Sequence, residues 1–373
     1  MRYITVAPLA AAAFAMAGAC PENALADPDM RVSGPHVHAN LAIYLVHGAS
    51  VPGPVPLTLQ EAIAKGQVLV SETGRVNELE IENKGSEPVF IQAGDIVKGG
   101  RQDRVLTVSF LLPANSGRLP IASYCVEQGR WSARGKEDSK RFSSAGEAMP
   151  SRSALLAMAA PPPPKSQPQA GAQPAGNSAA AAERGTRETD EVATKQRQVW
   201  DSVAATQRKL SQGLNAPVAS PQSASSLQLA LENEKLKVAR NAFMAALQAV
   251  GEAEEDAVGY IVAINGRMSS ANVYPSNALF RKMWDKQLAA AVTEAIGEAT
   301  SEAAGGTGGS PTAGSAAPAV AAARAFLEEA KTGSTSERPV LTGTLAVRDA
   351  EKLLYNEARA ADGTWIHRSY LAK

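Results

Sequence analysis

Cysteine is almost missing from this chain: Cys20 and Cys125 are the two in 373 residues. A fold stapled by several disulfides is thereby excluded, and stability has to come from burial. Aromatic residues make up only 5%, too few for a surface that stacks the bases of single-stranded nucleic acid. Net charge is lacking as well. The 37 basic residues balance 37 acidic ones, so a duplex-binding stripe of positive charge is not expected, and nucleic acid is not expected as a partner. No Walker loop, GxSxG elbow, HExxH pair or dinucleotide GxGxxG occurs, so neither a cofactor nor a metal is expected. Past the first residues no apolar run approaches the ~20 residues of a transmembrane helix.

What is present begins with an export signal. Arg2 supplies a short positive start, Ile4 to Ala19 form an apolar run interrupted by Pro8, and Ala24-Leu25-Ala26 stands before Asp27. Such a small-x-small pattern is what signal peptidase accepts. Cleavage is expected after Ala26, which puts the mature chain in the periplasm or outside the cell. Lipid anchoring at Cys20 is the minority alternative, because position 17 is alanine where an aliphatic residue is usual. Removal of the leader leaves Cys125 as the single mature thiol, so no intramolecular disulfide can form.

At 45% hydrophobic the chain is long enough for one large domain or two medium ones. Two segments cannot contribute a core. Residues 157–187 carry "PPPP" and a Pro/Ala/Gln-rich run, and 300–318 carry "GGTGGSPTAGSAAP"; neither can bury enough surface to offset the entropy of ordering it. They divide the mature sequence into a mainly β region at 27–156, a helix-rich region at 188–299 and a C-terminal helix with strands at 319–373.

In the first region the apolar period is 2. "NELEIEN" alternates Leu79 and Ile81 with glutamates, "VFIQAGDIVKGG" breaks at Gly94 and at Gly99-Gly100, "RVLTVSFLLP" places Leu106, Val108, Phe110 and Leu112 on one side, and "LPIASYCVEQG" follows. Four short strands with turns at this spacing predict an antiparallel sandwich or roll. After residue 188 the period becomes helical. Val199, Val203, Thr206 and Leu210 form one stripe and Leu236, Ala239, Phe243, Ala246 and Val250 another. A third, Phe280, Trp284, Leu288 and Val292, follows Ser276 as N-cap. "AVGYIVAINGRM" reads as a strand and turn, 317–331 as a helix, and "LTGTLAVRD" and "GTWIHRSYLAK" as closing strands. The predicted class is α+β: a sandwich or roll in the N-terminal half, then amphipathic helices with a few closing strands, interrupted by two low-complexity insertions.

"AGDIVKGGRQDR", "CVEQGRW", "RQVWDSVA", "VGYIVAINGRM" and "YPSNALFRKMWDKQLAAAVTEAI" occur in this order and resemble the conserved blocks of the ARG-and-rhodanese-phosphatase-superfamily-associated domain family, a domain of unknown function. The resemblance covers roughly Val32 to Ile296, with the C-terminal end as a further candidate. The family's name associates it with ADP-ribosylglycohydrolase and rhodanese-phosphatase type proteins, which implies a nucleotide or phosphate context. The chain departs from the family pattern in its two insertions and its leader.

Two of these blocks carry candidate chemistry. In "KGGRQDR", Gly99 and Gly100 can take positive φ and turn their N–H groups inward as an anion nest, with Lys98, Arg101 and Arg104 adding charge beside Asp103. The competing reading is a glycine turn with Asp103 paired to a neighbouring arginine. In "CVEQGRW", alternation keeps Ser123, Cys125 and Glu127 on one face, neighbours lying about 7 Å apart. Cys125 and Glu127 are weak catalytic candidates, and Glu127, Arg130 and Trp131 complete the candidate ligand-binding set. The competing reading buries Cys125 as a small apolar residue, pairs Glu127 with Arg130 or Arg101, and uses Trp131 as a cap. His36 and His38 form an HxH pair without a third ligand at matching spacing, and His47 and His367 stand apart, so these four are expected to be structural or solvent-facing. The functional expectation is a non-catalytic binding or accessory module for a small anionic ligand or an envelope protein partner. An enzyme acting on an ADP-ribosyl or phosphoryl compound, and a structural envelope protein, remain alternatives.

Overall fold

The computed structural model describes residues 30–159, 177–299 and 316–373. The expected leader with Ala26 and Cys20, the centre of the Pro/Ala/Gln-rich segment and residues 300–315 lie outside the described residues. Along the chain come β1 (Arg31–His38), β2 (Leu41–His47), β3 (Leu57–Thr58), α1 (Leu59–Ala64), β4 (Val68–Glu72), β5 (Glu78–Asn83), β6 (Val89–Ile91) and β7 (Asp95–Gly99). They continue as β8 (Arg104–Leu106), β9 (Phe110–Leu112), β10 (Gly117–Cys125), β11 (Arg141–Ala148), α2 (Arg152–Ala159), α3 (Asn177–Gly213), α4 (Leu227–Leu231) and α5 (Glu234–Ala253). The last third holds β12 (Ala257–Ile264), β13 (Arg267–Val273), α6 (Asn277–Gly297), α7 (Val320–Glu328), β14 (Ser334–Val340), β15 (Gly343–Asp349), β16 (Leu353–Ala360) and β17 (Trp365–Ala372).

Three sheets result. A closed barrel runs β10-β5-β4-β11-β7-β8, an eight-stranded sheet runs β1-β2-β12-β13-β17-β16-β15-β14, and β3-β6-β9 form a small third sheet. Pairing is antiparallel except between β3 and β6. This is the α+β class that the patterning predicts. The alternation in β5 puts Leu79 and Ile81 into the barrel core with Val68, Val70, Leu106 and Ile121, while its glutamates face outward. The Asn265-Gly266 pair takes φ +50° and +72° and turns β12 into β13, the torsions that a two-residue hairpin needs. Among the described residues no helix is long and apolar enough to cross a membrane.

Three features differ from the sequence reading. "RVLTVSFLLP" is not one strand: β8 joins the barrel and β9 the small sheet, so one apolar run serves two sheets. Helix α3 begins at Asn177, inside the segment assigned to a solvated insertion. The N-terminal β region is also not self-contained, because β2 leaves it to pair with β12 from Leu41↔Ile264 to His47↔Ala257. Both strands are buried on both faces, and a doubly buried strand shows a continuous apolar run without alternation.

Helix α6 fills the centre. Ser276 caps it by accepting the Leu279 N–H at 3.3 Å, and Phe280, Trp284, Leu288 and Val292 are all buried. Its apolar surface extends round the helix, as expected for one enclosed on all sides; α3, α5, β11 and β12 surround it. The Trp284 ring meets Phe280 and Tyr260 at 5.5 Å between centroids and donates its N–H to the Gln248 carbonyl at 2.7 Å. Gly251 in α5 makes that approach fit: a Cβ there would lie 2.4 Å from the indole. Gly251→Ala is expected to cost about 1–3 kcal/mol by overpacking, read as a lower urea midpoint at unchanged m-value.

Candidate functional site

The sequence-predicted residues do converge, and they converge on one another. Gly99 takes φ +120° and donates its N–H to Asp103 Oδ1 at 3.0 Å. Asp103 is fully buried. Arg134 reaches its Oδ2 at 3.0 Å, Arg130 its Oδ1 at 3.4 Å, and the Ser226 hydroxyl its Oδ2 at 3.3 Å. Only the Gly99 N–H of the glycine pair points at this carboxylate, so the pair acts as a glycine turn with Asp103 paired to neighbouring arginines. Glu127, also buried, takes Arg130 Nε at 2.6 Å and faces Arg134 at 3.5 Å. Burial pushes the Asp103 carboxyl up, the Gly99 N–H and the Arg134 guanidinium oppose it, and the negative Glu127 adds to the rise.

The remaining predicted residues have partners too. Lys98 pairs with Glu232 at 2.6 Å, and Gly100 donates to the Asp138 and Arg141 carbonyls at 3.1 Å. Arg104, buried among the barrel strands, lies 3.6 Å from Glu72 and donates to the Cys125 sulfur. Trp131 is exposed and lies under the guanidinium groups of Arg101 and Arg104, 5.4 and 5.7 Å from its ring centre. Cys125 is wholly buried, its backbone is held at both ends by the Gln196 side chain at 2.9 Å, and desolvation raises its thiol to about 11. A thiol held that high is not a nucleophile near neutral pH. Glu72, Arg134 and Ser226 belong to this cluster and were missed by the sequence reading. Arg134 carries a signal, since it stands four residues after Arg130, but Glu72 and Ser226 arrive from remote elements.

The open site lies elsewhere. A cavity of about 80 Å³ sits where β12, β13, β16 and β17 meet α6, α2 and the residues flanking β7 and β9. Its apolar wall includes Met149, Leu155, Met158, Val262 and Leu371, and its polar groups come from Arg152, Asn272, Gln287, Glu294, Asn356 and Ser369. Two of these atoms, Arg152 Nε and Asn356 Oδ1, are buried without a hydrogen-bond partner among the described residues. Such atoms are costly unless a ligand or water satisfies them. Arg152 is otherwise fixed by donating to the Ala372 carbonyl at 2.5 Å. Desolvation raises the Glu294 carboxyl to about 7, against the charge and backbone N–H of Arg152.

One wall of the cavity is a closed relay. Ser109 Oγ lies 3.0 Å from His367 Nδ1, His367 Nε2 lies 3.1 Å from Asn272 Oδ1, the Asn272 amide donates to Tyr260 Oη at 2.7 Å, and Tyr260 lies 3.2 Å from Gln287 Oε1. Burial lowers His367 to about 3, so it stays neutral and serves as a strut. His38 packs edge-on to Phe243 at 4.7 Å. His36 and His38 stand in β1; among the described residues His47 groups with Glu254 and Asp256, and neither member of the HxH pair joins such a group.

Two outcomes are expected. Arg134→Ala leaves Asp103 and Glu127 buried with one cation fewer, a loss on the order of 3 kcal/mol in urea unfolding. Because the fold holds Glu294 protonated above its ordinary value of 4.5, the native state binds more protons than the unfolded chain between about pH 4.5 and 7. Its contribution is then complete below pH 4.5 and is lost as pH rises through 7. Glu294→Gln should therefore gain stability relative to the parent as pH rises from 5 to 8, by about 3 kcal/mol at most; a pH-independent difference would refute the assignment.

The model of the ARG and Rhodanese-Phosphatase-superfamily-associated Protein domain matches residues 29–371, so the resemblance extends past Ile296 to the closing strands, and the chain belongs to that family. No curated protein and no solved structure matches the chain.

Proposed function

We propose that this member of the family is an exported binding module, non-catalytic at the cavity between α6, α2 and the eight-stranded sheet, where it holds a small polar ligand bearing an anionic group. The observation that carries the reading is the pair of buried, unpartnered atoms on its wall, Arg152 Nε and Asn356 Oδ1. A guanidinium N–H calls for an acceptor and an amide oxygen for a donor. A small molecule with a carboxylate or phosphate at one end and a hydroxyl or amide at the other supplies both. Glu294, near its midpoint at neutral pH, can donate to such a ligand when protonated and accept when ionised. An apolar pocket with a few convergent polar groups is the usual form of a ligand site. The exported character rests on the leader pattern at residues 2–26.

The alternative enzyme built on Cys125 or Glu127 draws no support from the geometry, since one is a buried, high-pKa thiol and the other is committed to Arg130. Thermal melts against short-chain carboxylates, inorganic phosphate, ADP-ribose and neutral sugars are expected to show stabilisation by at least one small anion. Arg152→Gln should weaken its binding at least ~10-fold, whereas Lys98→Ala should leave it unchanged. Lack of stabilisation by every compound, or equal binding by the Arg152 variant, would defeat the reading.

A further inference from the structure

The end of the β1–β2–β12 junction holds a group of side chains that neither the cavity nor the arginine cluster uses. Ser33 Oγ lies 2.6 Å from His47 Nε2, and His47 Nδ1 lies 2.6 Å from Asp256 Oδ1. The three residues come from adjacent strands and the turn before one of them. Register places Arg31 opposite His47 and Ser33 opposite Leu45, so Arg31, Ser33 and His47 stand on one face of the sheet, and Asp256 meets His47 and Arg31 from the turn before β12. Gly48 donates its N–H to the Asp256 carbonyl at 3.0 Å, which fixes the turn against β2. Asn277 in α6 holds the same turn by donating to the carbonyls of Glu254 and Ala257 at 3.0 and 2.7 Å.

We infer that Ser33, His47 and Asp256 form a nucleophilic site that accepts an acyl group from a small carboxylic ester. The hydrogen-bond roles are determined by the carboxylate. Its other oxygen, Oδ2, accepts from Arg31 Nη2 at 3.0 Å, and the contacts from His47 and Arg31 hold its pKa below the ordinary value. An ionised carboxylate can only accept, so Nδ1 carries the imidazole proton and Nε2 presents its lone pair to the serine hydroxyl. That is the tautomer in which an imidazole acts as base for a serine, with the carboxylate orienting the ring. His47 is buried at 2% exposure while Ser33 is only part-buried and Asp256 is more than half exposed. The base is thus shielded from water while the nucleophile can be reached.

The balanced step is an ordinary acyl transfer. Ser33 Oγ bonds to the ester carbonyl carbon, its proton passes to His47 Nε2, the carbon–oxygen bond to the leaving alcohol breaks, and His47 returns the proton to that alcohol. Water then attacks the acyl-serine with His47 again taking the proton, and the carboxylic acid and free Ser33 are released. The site shares no residue with the cavity, so failure of either proposal leaves the other standing.

The His47 ring and two carboxylates offer a competing use, because ligand atoms of His47, Glu254 and Asp256 lie within 4.8 Å of one another. A single set of measurements separates the two. The full chain is treated with a fluorophosphonate, in which Ser33 Oγ displaces fluoride from phosphorus, and the modified residue is located by peptide mass spectrometry; p-nitrophenyl acetate gives the turnover. Labelling is expected at Ser33, lost in Ser33→Ala, and reduced about 100-fold or more in His47→Gln, the usual worth of a general base. Where His47→Gln fails to fold, Asp256→Asn carries the test, since its side chain is half exposed and it lowers the rate by misorienting the ring. Unlabelled Ser33 in the folded parent, or labelling at an equal rate in the histidine and aspartate variants, overturns the proposal. So does stoichiometric Zn²⁺ binding that Asp256→Asn abolishes while esterolysis is absent.

Discussion

The pairing of β2 with β12 is the contact on which the rest of the molecule depends. It joins Leu41–His47 to Ala257–Ile264 across more than half of the chain, and both strands are buried on both faces. One face receives α5 and α6, with Leu41, Ile43, Leu45, Tyr260 and Val262 in the main core. The other face, carrying Tyr44, Val46, Ile261 and Ala263, receives α7. Strands buried on both sides are unusual in antiparallel sheets, which more often keep one face wet. Here the exchange stabilises a sheet assembled from both ends of the sequence. It also sets where chemistry can occur: Tyr260 and Val262 reach the cavity from this strand, and His47 meets Asp256 at its end.

The arginine cluster shows a different use of charge. Asp103 and Glu127 have no exposure, and an isolated buried carboxylate would cost several kcal/mol. Two arginines, a glycine N–H and a serine hydroxyl offset that cost. A network of this kind closes one end of the barrel with directional bonds that apolar packing does not supply, and it ties α4 to β7 through Ser226. Gly99 takes positive φ and a Cβ there would lie 2.9 Å from the Arg141 carbonyl oxygen, and at Gly100 a Cβ would meet the Phe142 ring at 2.2 Å. The glycine pair therefore has a packing reason as well as a conformational one.

Much of the architecture is legible in the chain. The period-2 run in "NELEIEN" gives β5 because one of its faces is wet, and the four-residue spacing of Phe280, Trp284, Leu288 and Val292 gives α6 because a helix repeats at that interval. "ING" gives the β12–β13 turn because asparagine and glycine tolerate positive φ. β2 is not legible as a strand, since "LAIYLVH" has no alternation to read. The grouping of Asp103, Glu127 and Arg130 was legible as a charge pattern, whereas its partners were not: Glu72, Arg134 and Ser226 reach it through strand order and helix docking.

Sequence by itself determined the compartment expectation, the α+β class, the apolar stripes of the long helices and the residue types available for binding, because each of these is a local property of composition or period. Only the tertiary structure decided which charges were already paired and which polar atoms were left over. Lys98 and Asp103 look like ligand-binding groups until Glu232 and Arg134 reach them, whereas the Glu127–Arg130 pair spans only three residues. Arg152, Asn356, Ser33 and His47 look unremarkable until distant strands bring them to a cavity or to one another. Whether a polar group is free depends on distances between segments remote in sequence, and no local pattern encodes those distances.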